Sequence, residues 1–572
     1  MSATRARRIE VAGASLTSLS YLFDEATKFF PVPGGVVSVI DREGLLGERS
    51  FGFADVERGI AMSSSLRFEI GSISKFFTAL AVNRLIDDGR LQLHETIADV
   101  LPWLALSHEN LAVSVARLLN HTSGMSVGAD TLPDDAGEIW NSRECASSTA
   151  TSPNFHYSNL GYLILGEMVR ARSGQRLADF VQKQWLGPLG MSNALAQVTQ
   201  ADKSSLATGY WPTRPDHPWA PGDALSPSAF FEIDSASGNI AATSADMTAL
   251  VQALLGASGG DPVMDAEAKP VLSPALFERM TSDLAPTGEP TYVHQGVSQV
   301  QESRYAMGIN VERIDGHLCV SHGGGMVGYS TFMLVDCTAR IGVVVLTNAN
   351  GDTLASHLLA RIVHDDVLRR LNGRDSLDGL SFDLTVRAGA DPVDGAVPGH
   401  YVGDDETELD VFLEGDEMRI RYGDETGRLF RLIGGRYVTD NPGLRTFHLD
   451  WYFHGEERGF TYGATTYRNV HGGGPVPSKT GAVHPLVGRY RSFSPWFPEF
   501  RILERGGALL LVAPGGVEAP GEEEVLVEVA WGEYRIGSEE WLPERLRINH
   551  VRDGEVISVV RDGCHYSRAF SD

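Results

Sequence analysis

Lysine is scarce in this 572-residue chain: six occur, at positions 28, 75, 183, 203, 269 and 479, and arginine supplies the rest of the 48 basic residues. Against 74 acidic residues they leave a net charge of −26. That charge repels phosphate backbones and anionic lipid, which argues against nucleic-acid or polybasic membrane binding. Cysteine is nearly as rare. Cys145, Cys319, Cys337 and Cys564 are scattered with no Cys-x-x-Cys pair, which excludes a disulfide framework or a zinc motif and suits a reducing compartment. No apolar run reaches the ~18 residues a membrane span requires. The start MSATRARRIEVAGASLTSLSYLF has a basic head, but Ser, Thr and Glu10 break its apolar stretch and no small-x-small cleavage site is followed by a mature start. It is expected to form an amphipathic first helix of a cytoplasmic protein. No His-Glu-x-x-His, Walker or dinucleotide pattern is present, so neither metal nor cofactor is expected.

What is present is an ordinary globular balance, 42% hydrophobic and 21% charged, in a chain long enough for two to four domains. GGVVSVID (34 to 41) and SFGFAD (50 to 55) read as a hairpin. Helical periodicity follows over Phe76 to Asp88, Val113 to Leu119, Gly161 to Ala171 and Ala245 to Leu255. HLCVSH, YSTFMLVD and IGVVVLTN read as a three-stranded meander closed by a helix from Leu354 to Leu371. The pattern predicts an α+β fold, an antiparallel sheet flanked by helices, over residues 1–380. From about residue 385 the texture becomes short alternating strands with Gly and charged turns, as in sandwiches or small barrels. PGHYVG resembles VGRYRS in position and pattern, and GATTYRN loosely resembles GCHYSR, at offsets of 89 and 99 residues. Two copies of one β-module are therefore expected, over 390–472 and 484–572, joined by the Gly/Pro-rich HGGGPVPSKTGAVHP (471 to 485).

The strongest local signal is FEIGSISKFFTALAVNRLIDDGRL. Ser72 and Lys75, three apart at a helix start, share one face. A serine hydroxyl becomes a useful nucleophile when an adjacent base takes its proton, and a neutral lysine can be that base. With six lysines in the chain, a chance Ser-x-x-Lys is uncommon, and Lys75 alone has a serine three residues before it. NFHYSNLGYLILGEMV places Tyr157, Ser158 and Asn159 before an apolar helix, where a phenol can shuttle protons and an amide can orient substrate. HLCVSHGGGMVGYSTFMLVD runs a strand into a glycine-rich loop at His322-Gly323-Gly324-Gly325. His322 adds a titratable ring, Gly324 permits close approach of substrate, and the Gly325 N–H is a candidate oxyanion donor. His121, in LLNHTSGM, reads as a buried hydrogen-bonded histidine more readily than as a catalytic one.

Taken together, Ser72, Lys75, Tyr157, Asn159 and His322, with LLNHTSGM, GPLGM and SADM, closely resemble the serine β-lactamase and penicillin-binding-protein superfamily. The resemblance spans about residues 15 to 373. The branch is class C β-lactamase-like, with His-x-Gly in place of Lys-Thr-Gly, as in many esterases and D-aminopeptidases. The literal Lys479-Thr480-Gly481 lies in the linker between β-modules and is read as surface. The resemblance implies a serine hydrolase working through an acyl-enzyme on Ser72, with Lys75 and Tyr157 moving protons, His322 assisting deacylation, and Asn159, Gly324 and Gly325 holding substrate. A catalytic domain followed by two β-barrel modules is similar to the D-stereospecific aminopeptidases, in which a barrel loop narrows the cleft. The candidate loops here are SFSPWFPEF (492 to 500) and APGGVEAPGEEE (513 to 524). The expected substrate is a short peptide, with a small ester as the alternative; a D,D-carboxypeptidase, a β-lactamase or a non-turnover penicillin sensor ranks below both. The edge strands of the β-modules offer a route to homo-oligomers.

Overall fold

A computed structural model describes residues 2–104, 111–128, 135–141, 143, 154–265, 267–350, 354–383, 385–386, 396–432, 435–454, 457–470, 483–514 and 523–568. Two N-terminal helices, α1 (Ala3–Ser18) and α2 (Ser20–Phe29), lead into strands β1 (Gly34–Asp41) and β2 (Gly44–Asp55). The first helix is capped by the Ser2 side chain, which accepts the Arg5 N–H. Helices α3 (Ser74–Asp87), α4 (Asn159–Ser173) and α5 (Ser244–Ser258) precede strands β3 (Val300–Tyr305), β4 (Asn310–Ile314), β5 (His317–Met326), β6 (Tyr329–Asp336) and β7 (Ile341–Thr347). Helix α6 (Ala355–Leu371) closes this part. The strands form one eight-stranded antiparallel sheet, ordered from the two-residue strand Ile60–Ala61 through β2, β1, β7, β6, β5 and β4 to β3.

Helices cover both faces of this sheet, so its central strands read as continuous apolar runs rather than alternating ones. Val36, Ile40, Val344 and Leu346 enter a core shared with α3, α4 and α5, while Val37, Val39, Val343 and Val345 enter a second core shared with α1, α2 and α6. A register shift opposite Val39 and Ile40 leaves one extra residue, Leu46, in β2, while β1 keeps its alternation. Each such side chain, withdrawn fully from water, contributes roughly 1.5–3 kcal/mol. No helix among the described residues is long and apolar enough to cross a membrane.

One segment departs from the expected pattern. The glycines after His322 do not form a loop: β5 continues through them to Met326, because its pairing with β6 persists to Gly325↔Ser330 and Met326↔Tyr329. Its other partner, β4, stops at Ser321↔Asn310. Residues 322–326 therefore have no β4 partner along one edge, and it is here that β5 meets the turn carrying Ser72.

The C-terminal part consists of two closed eight-stranded barrels, the first from β8 (Gly399–Gly403) to β15 (Thr465–Asn469), the second from β16 (Gly488–Arg491) to β23 (Cys564–Arg568). The repeat is visible in its tyrosines. Tyr401 on β8 and Tyr490 on β16 are both buried, and each hydroxyl donates 2.8 Å to the carbonyl four residues earlier, Val397 and Leu486. Tyr467 and Tyr566 occupy the last strands of the two barrels; Tyr467 stacks on Phe460, and Tyr566 meets Phe500 at a tilt of 59°. A closed barrel has no free strand edge, so any assembly through these modules has to use side-chain faces. The linker residues 471–482, Lys479 included, and most of the 513–524 loop lie outside the described residues.

Candidate active site

Ser72 sits in a 3-10 turn, Gly71–Ile73, that runs directly into α3. The turn is pinned on both flanks. Ile70 N–H donates to the Ile240 carbonyl at 2.8 Å, Thr331 Oγ1 donates to the Ile70 carbonyl at 3.2 Å, and Ser74 Oγ accepts the Ile240 N–H at 3.1 Å. Gly71 adopts φ +50°, and a Cβ there would lie 2.6–2.7 Å from the O and N of Gly325. Gly324 shows the same closeness: its Cβ would meet the Ile70 carbonyl oxygen at 1.9 Å and Thr331 Oγ1 at 2.4 Å. The two glycines let the edge of β5 lie against the serine turn. Gly324 thus provides room for packing, whereas the sequence reading had it meeting substrate.

Lys75, one turn on, is fully buried. Its Nζ lies 2.9 Å from Ser72 Oγ and donates to the Ser237 carbonyl, also at 2.9 Å. The same Nζ is 4.9 Å from the centroid of the Tyr157 ring. Tyr157 is half-buried and lies just before α4, where the neighbouring Ser158 makes an N-cap: its Oγ accepts the Gly161 N–H at 3.0 Å and donates to the Ser126 carbonyl at 2.7 Å. Asn159 begins the helix and is buried. Tyr-Ser-Asn is therefore a helix cap and part of the cluster at once.

His121 brackets the tyrosine. Its carbonyl accepts the His156 N–H at 2.8 Å, its Nδ1 accepts the Ser158 N–H at 3.1 Å, and its ring lies 4.3 Å from that of Tyr157. It does so from a left-handed backbone, φ 56°. Burial, reinforced by Lys75, holds its imidazole well below the usual range, so it is neutral with the proton on Nε2. This agrees with the sequence reading of a buried hydrogen-bonded residue, although no pattern in the sequence revealed which segment it holds.

His322 is completely buried and both ring nitrogens are engaged. Nδ1 donates 2.6 Å to the Gly323 carbonyl, so neutral Nε2 accepts the Tyr305 hydroxyl at 2.8 Å. Burial lowers its pKa despite the Glu289 carboxylate 3.9 Å away. The ring thus supports the hydroxyl of Tyr305, itself 6.2 Å from the Tyr157 ring. Tyr305 and Glu289 were missed: an isolated Tyr at a strand end and a loop Glu carry no spacing signal.

The second barrel reaches this cluster. Glu544, just before the strand Arg545–Arg552, lies 2.6 Å from His156 Nε2 and accepts the Val127 N–H at 3.1 Å, with Trp541 edge-on to the His156 ring. Burial alone would raise the Glu544 carboxyl, but the hydrogen bond and charge of His156 and the Val127 N–H together hold it below the usual range. From the SFSPWFPEF loop, Trp496 packs on Phe231, in the segment leading to the Ser237 carbonyl.

Glu69, three residues before Ser72, is also buried, and burial pushes its carboxyl up to about 8. In the unfolded chain the group ionises near 4.5. Between those values the native state holds a proton that the unfolded state has released, so stability falls as pH rises from 4.5 to 8. At pH 7 the cost is on the order of 3 kcal/mol. Glu69→Gln is expected to stabilise the protein by about that amount at pH 7.5 and to leave it unchanged at pH 4, as read by denaturant unfolding at the two pH values.

An antiparallel sheet with helices on both faces and a Ser-x-x-Lys turn at a helix start define the β-lactamase and transpeptidase fold class. The chain belongs to the Beta-lactamase family, whose sequence model matches residues 24–366, and with it to the β-lactamase-like serine hydrolases. It is 25% identical over 348 residues to Protein flp of Staphylococcus aureus (strain N315), a match covering 58% of this chain and 64% of that protein's length. It is 31% identical over 200 residues to Penicillin-binding protein 4 of Amycolatopsis lactamdurans, covering 33% of this chain and 51% of that one. Among solved structures, the octameric penicillin-binding protein homologue from Pyrococcus abyssi has a TM-score of 0.52 at 21% identity, covering 79% of this chain and 99% of its own. A D-amino acid amidase from Ochrobactrum anthropi SV3 has a TM-score of 0.50 at 20% identity, covering 63% and 99%. These structural likenesses establish the fold.

Proposed function

We propose that the protein hydrolyses amide bonds of short peptides through a covalent acyl-enzyme on Ser72. The observation that carries this reading is the buried Lys75 Nζ 2.9 Å from Ser72 Oγ, with the Tyr157 ring beside it. Ser72 Oγ attacks the carbonyl carbon as its proton passes to Lys75, and the oxyanion is stabilised by the Ser72 and Gly325 N–H groups. The C–N bond breaks as the amine takes a proton by way of Tyr157. Water then attacks the ester, the same groups carry its proton, and Ser72 is released with the acid product. Asn159 orients the acyl chain, and His322 acts at a distance by fixing Tyr305.

A neutral, enclosed His322 offers no fixed cation to a substrate carboxylate, which disfavours a carboxypeptidase or β-lactamase role. The net charge of −26 favours a substrate with a free ammonium. The fold shared with a D-amino acid amidase is compatible with amide chemistry and with D-residues. Initial rates on D-alanyl anilide and on a short-chain nitrophenyl ester test the reading: amide turnover within about tenfold of the ester rate supports it, and ester turnover with no measurable amide cleavage replaces it with a carboxylesterase. A burst without steady-state turnover on either substrate points to a sensor. Assembly of several copies is also proposed, through side-chain faces such as the one around the exposed Trp531.

A further inference from the structure

On the face of the sheet opposite the Ser72 cluster, three metal-ligating side chains converge, with His317 beside one of them. Cys319 on β5 lies in register with Asp336 at the end of β6. His364 reaches them from α6, and His317 enters from the start of β5. The ligand atoms of Cys319, Asp336 and His364 all lie within 4.8 Å of one another, and all three residues are buried. Among the described residues no other such group of His, Cys, Asp and Glu occurs. Asp336 Oδ2 lies 3.1 Å from His364 Nε2 and 2.6 Å from His317 Nδ1. Its Oδ1 accepts the Ala339 N–H at 2.7 Å, which fixes the carboxylate plane. His317 is 30% exposed and stands at the mouth of the cluster.

We propose that Cys319, Asp336 and His364, with His317 as the fourth donor at the mouth, form a binding site for a borderline-soft divalent cation of the zinc type. The ligand atoms of Cys319, Asp336 and His364 lie within 4.8 Å of one another, and donors bound tetrahedrally to zinc stand roughly 3.3–3.6 Å apart, so the site tightens on binding through side-chain adjustment. The charges also balance. A divalent ion with a carboxylate, a thiolate and two neutral imidazoles is neutral overall, which suits a buried position. On binding, the Cys319 S–H bond breaks, the sulfur lone pair joins the metal, and one proton leaves to solvent through the mouth; no redox change is involved. A thiolate with imidazoles selects zinc, cobalt or nickel over magnesium or calcium. The neighbouring cation, Arg361, is occupied by Glu312 at 2.9 and 3.0 Å and does not compete for Asp336. The Ala339 N–H orients the carboxylate as outer hydrogen bonds do in established metal centres. No zinc motif shows in the sequence because the donors come from two strands and a helix, with only His317 and Cys319 close in the chain.

The test uses the full chain, stripped with chelator and titrated with Co²⁺ alone. The site predicts one cobalt per chain, tetrahedral ligand-field bands, a thiolate-to-cobalt charge-transfer band, and displacement of both by Zn²⁺. Cys319→Ser is expected to lose the charge-transfer band, His317→Gln to weaken binding about 10- to 100-fold, and Cys337→Ser and Ser72→Ala to leave the spectrum unchanged. Because Ser72→Ala is expected to bind the metal as the wild type does, the outcome is independent of the hydrolase reading. No stoichiometric uptake, or a cobalt spectrum that survives Cys319→Ser, would overturn the site and leave a hydrogen-bonded Asp-His cluster. If Cys319→Ser does not fold, the wild-type spectrum decides: tetrahedral cobalt without a charge-transfer band refutes thiolate ligation.

Discussion

Ser72→Ala is expected to lower kcat on the best substrate by about 10⁴- to 10⁶-fold, the scale on which nucleophile removal acts in hydrolases of this kind, while melting with an unchanged transition. The reasoning is local. Ser72 Oγ lies 2.9 Å from Lys75 Nζ, and the turn that holds it is anchored by backbone and side-chain bonds at Ile70, Ser74 and Thr331 that alanine leaves in place. Lys75→Ala should fall nearly as far, because groups acting as a unit are not additive, and the double variant should be no slower than either alone. A stopped-assay comparison of the three, with thermal melts as the fold control, reads this directly. A Ser72→Ala protein retaining more than a few per cent of activity would place the nucleophile elsewhere.

Gly324→Ala is the second large effect, and it arises from geometry alone. The added methyl would stand 1.9 Å from the Ile70 carbonyl and 2.4 Å from Thr331 Oγ1, and a backbone carbonyl cannot move aside without shifting the Ser72 turn. The expected result is a loss of several kcal/mol of stability, with activity down at least a hundredfold in any protein that folds. The neighbouring Gly323→Ala is the control: its methyl meets the His357 ring at 2.8 Å, a side-chain contact rather than a backbone one. It should cost on the order of 1 kcal/mol and keep most of the activity. Urea unfolding and initial rates on the pair distinguish the two glycines; equal effects would mean that the close approach of β5 to the serine turn is not what positions the site.

How much of this was legible in the sequence follows from which interactions are local. Ser72, Lys75 and the Tyr157 to Asn159 cap could be found because each lies at a helix start, where spacing of three or four brings side chains together. The sheet was legible because its buried strands are uninterrupted apolar runs, and the barrels because their tyrosines recur at matching places. What escaped depends on distant segments. The glycines after His322 read as a turn because the sequence does not show that β6 continues to pair with them. The buried state of His322, the support from Tyr305, the bracket at His121 and the contact from Glu544 all join residues tens to hundreds of positions apart. His322 illustrates the limit: its identity marks a titratable ring, and the partners of its two nitrogens, Tyr305 and the Gly323 carbonyl, are visible only in the structure.

The central claim, that Ser72 is the residue acylated, is tested most directly by inhibiting the wild-type protein with a serine-reactive phosphonate and mapping the adduct by peptide mass spectrometry. The account predicts one adduct per chain, on the peptide containing Ser72, and none in the Ser72→Ala variant. An adduct on any other serine, or labelling of Ser72→Ala at the wild-type rate, would contradict it.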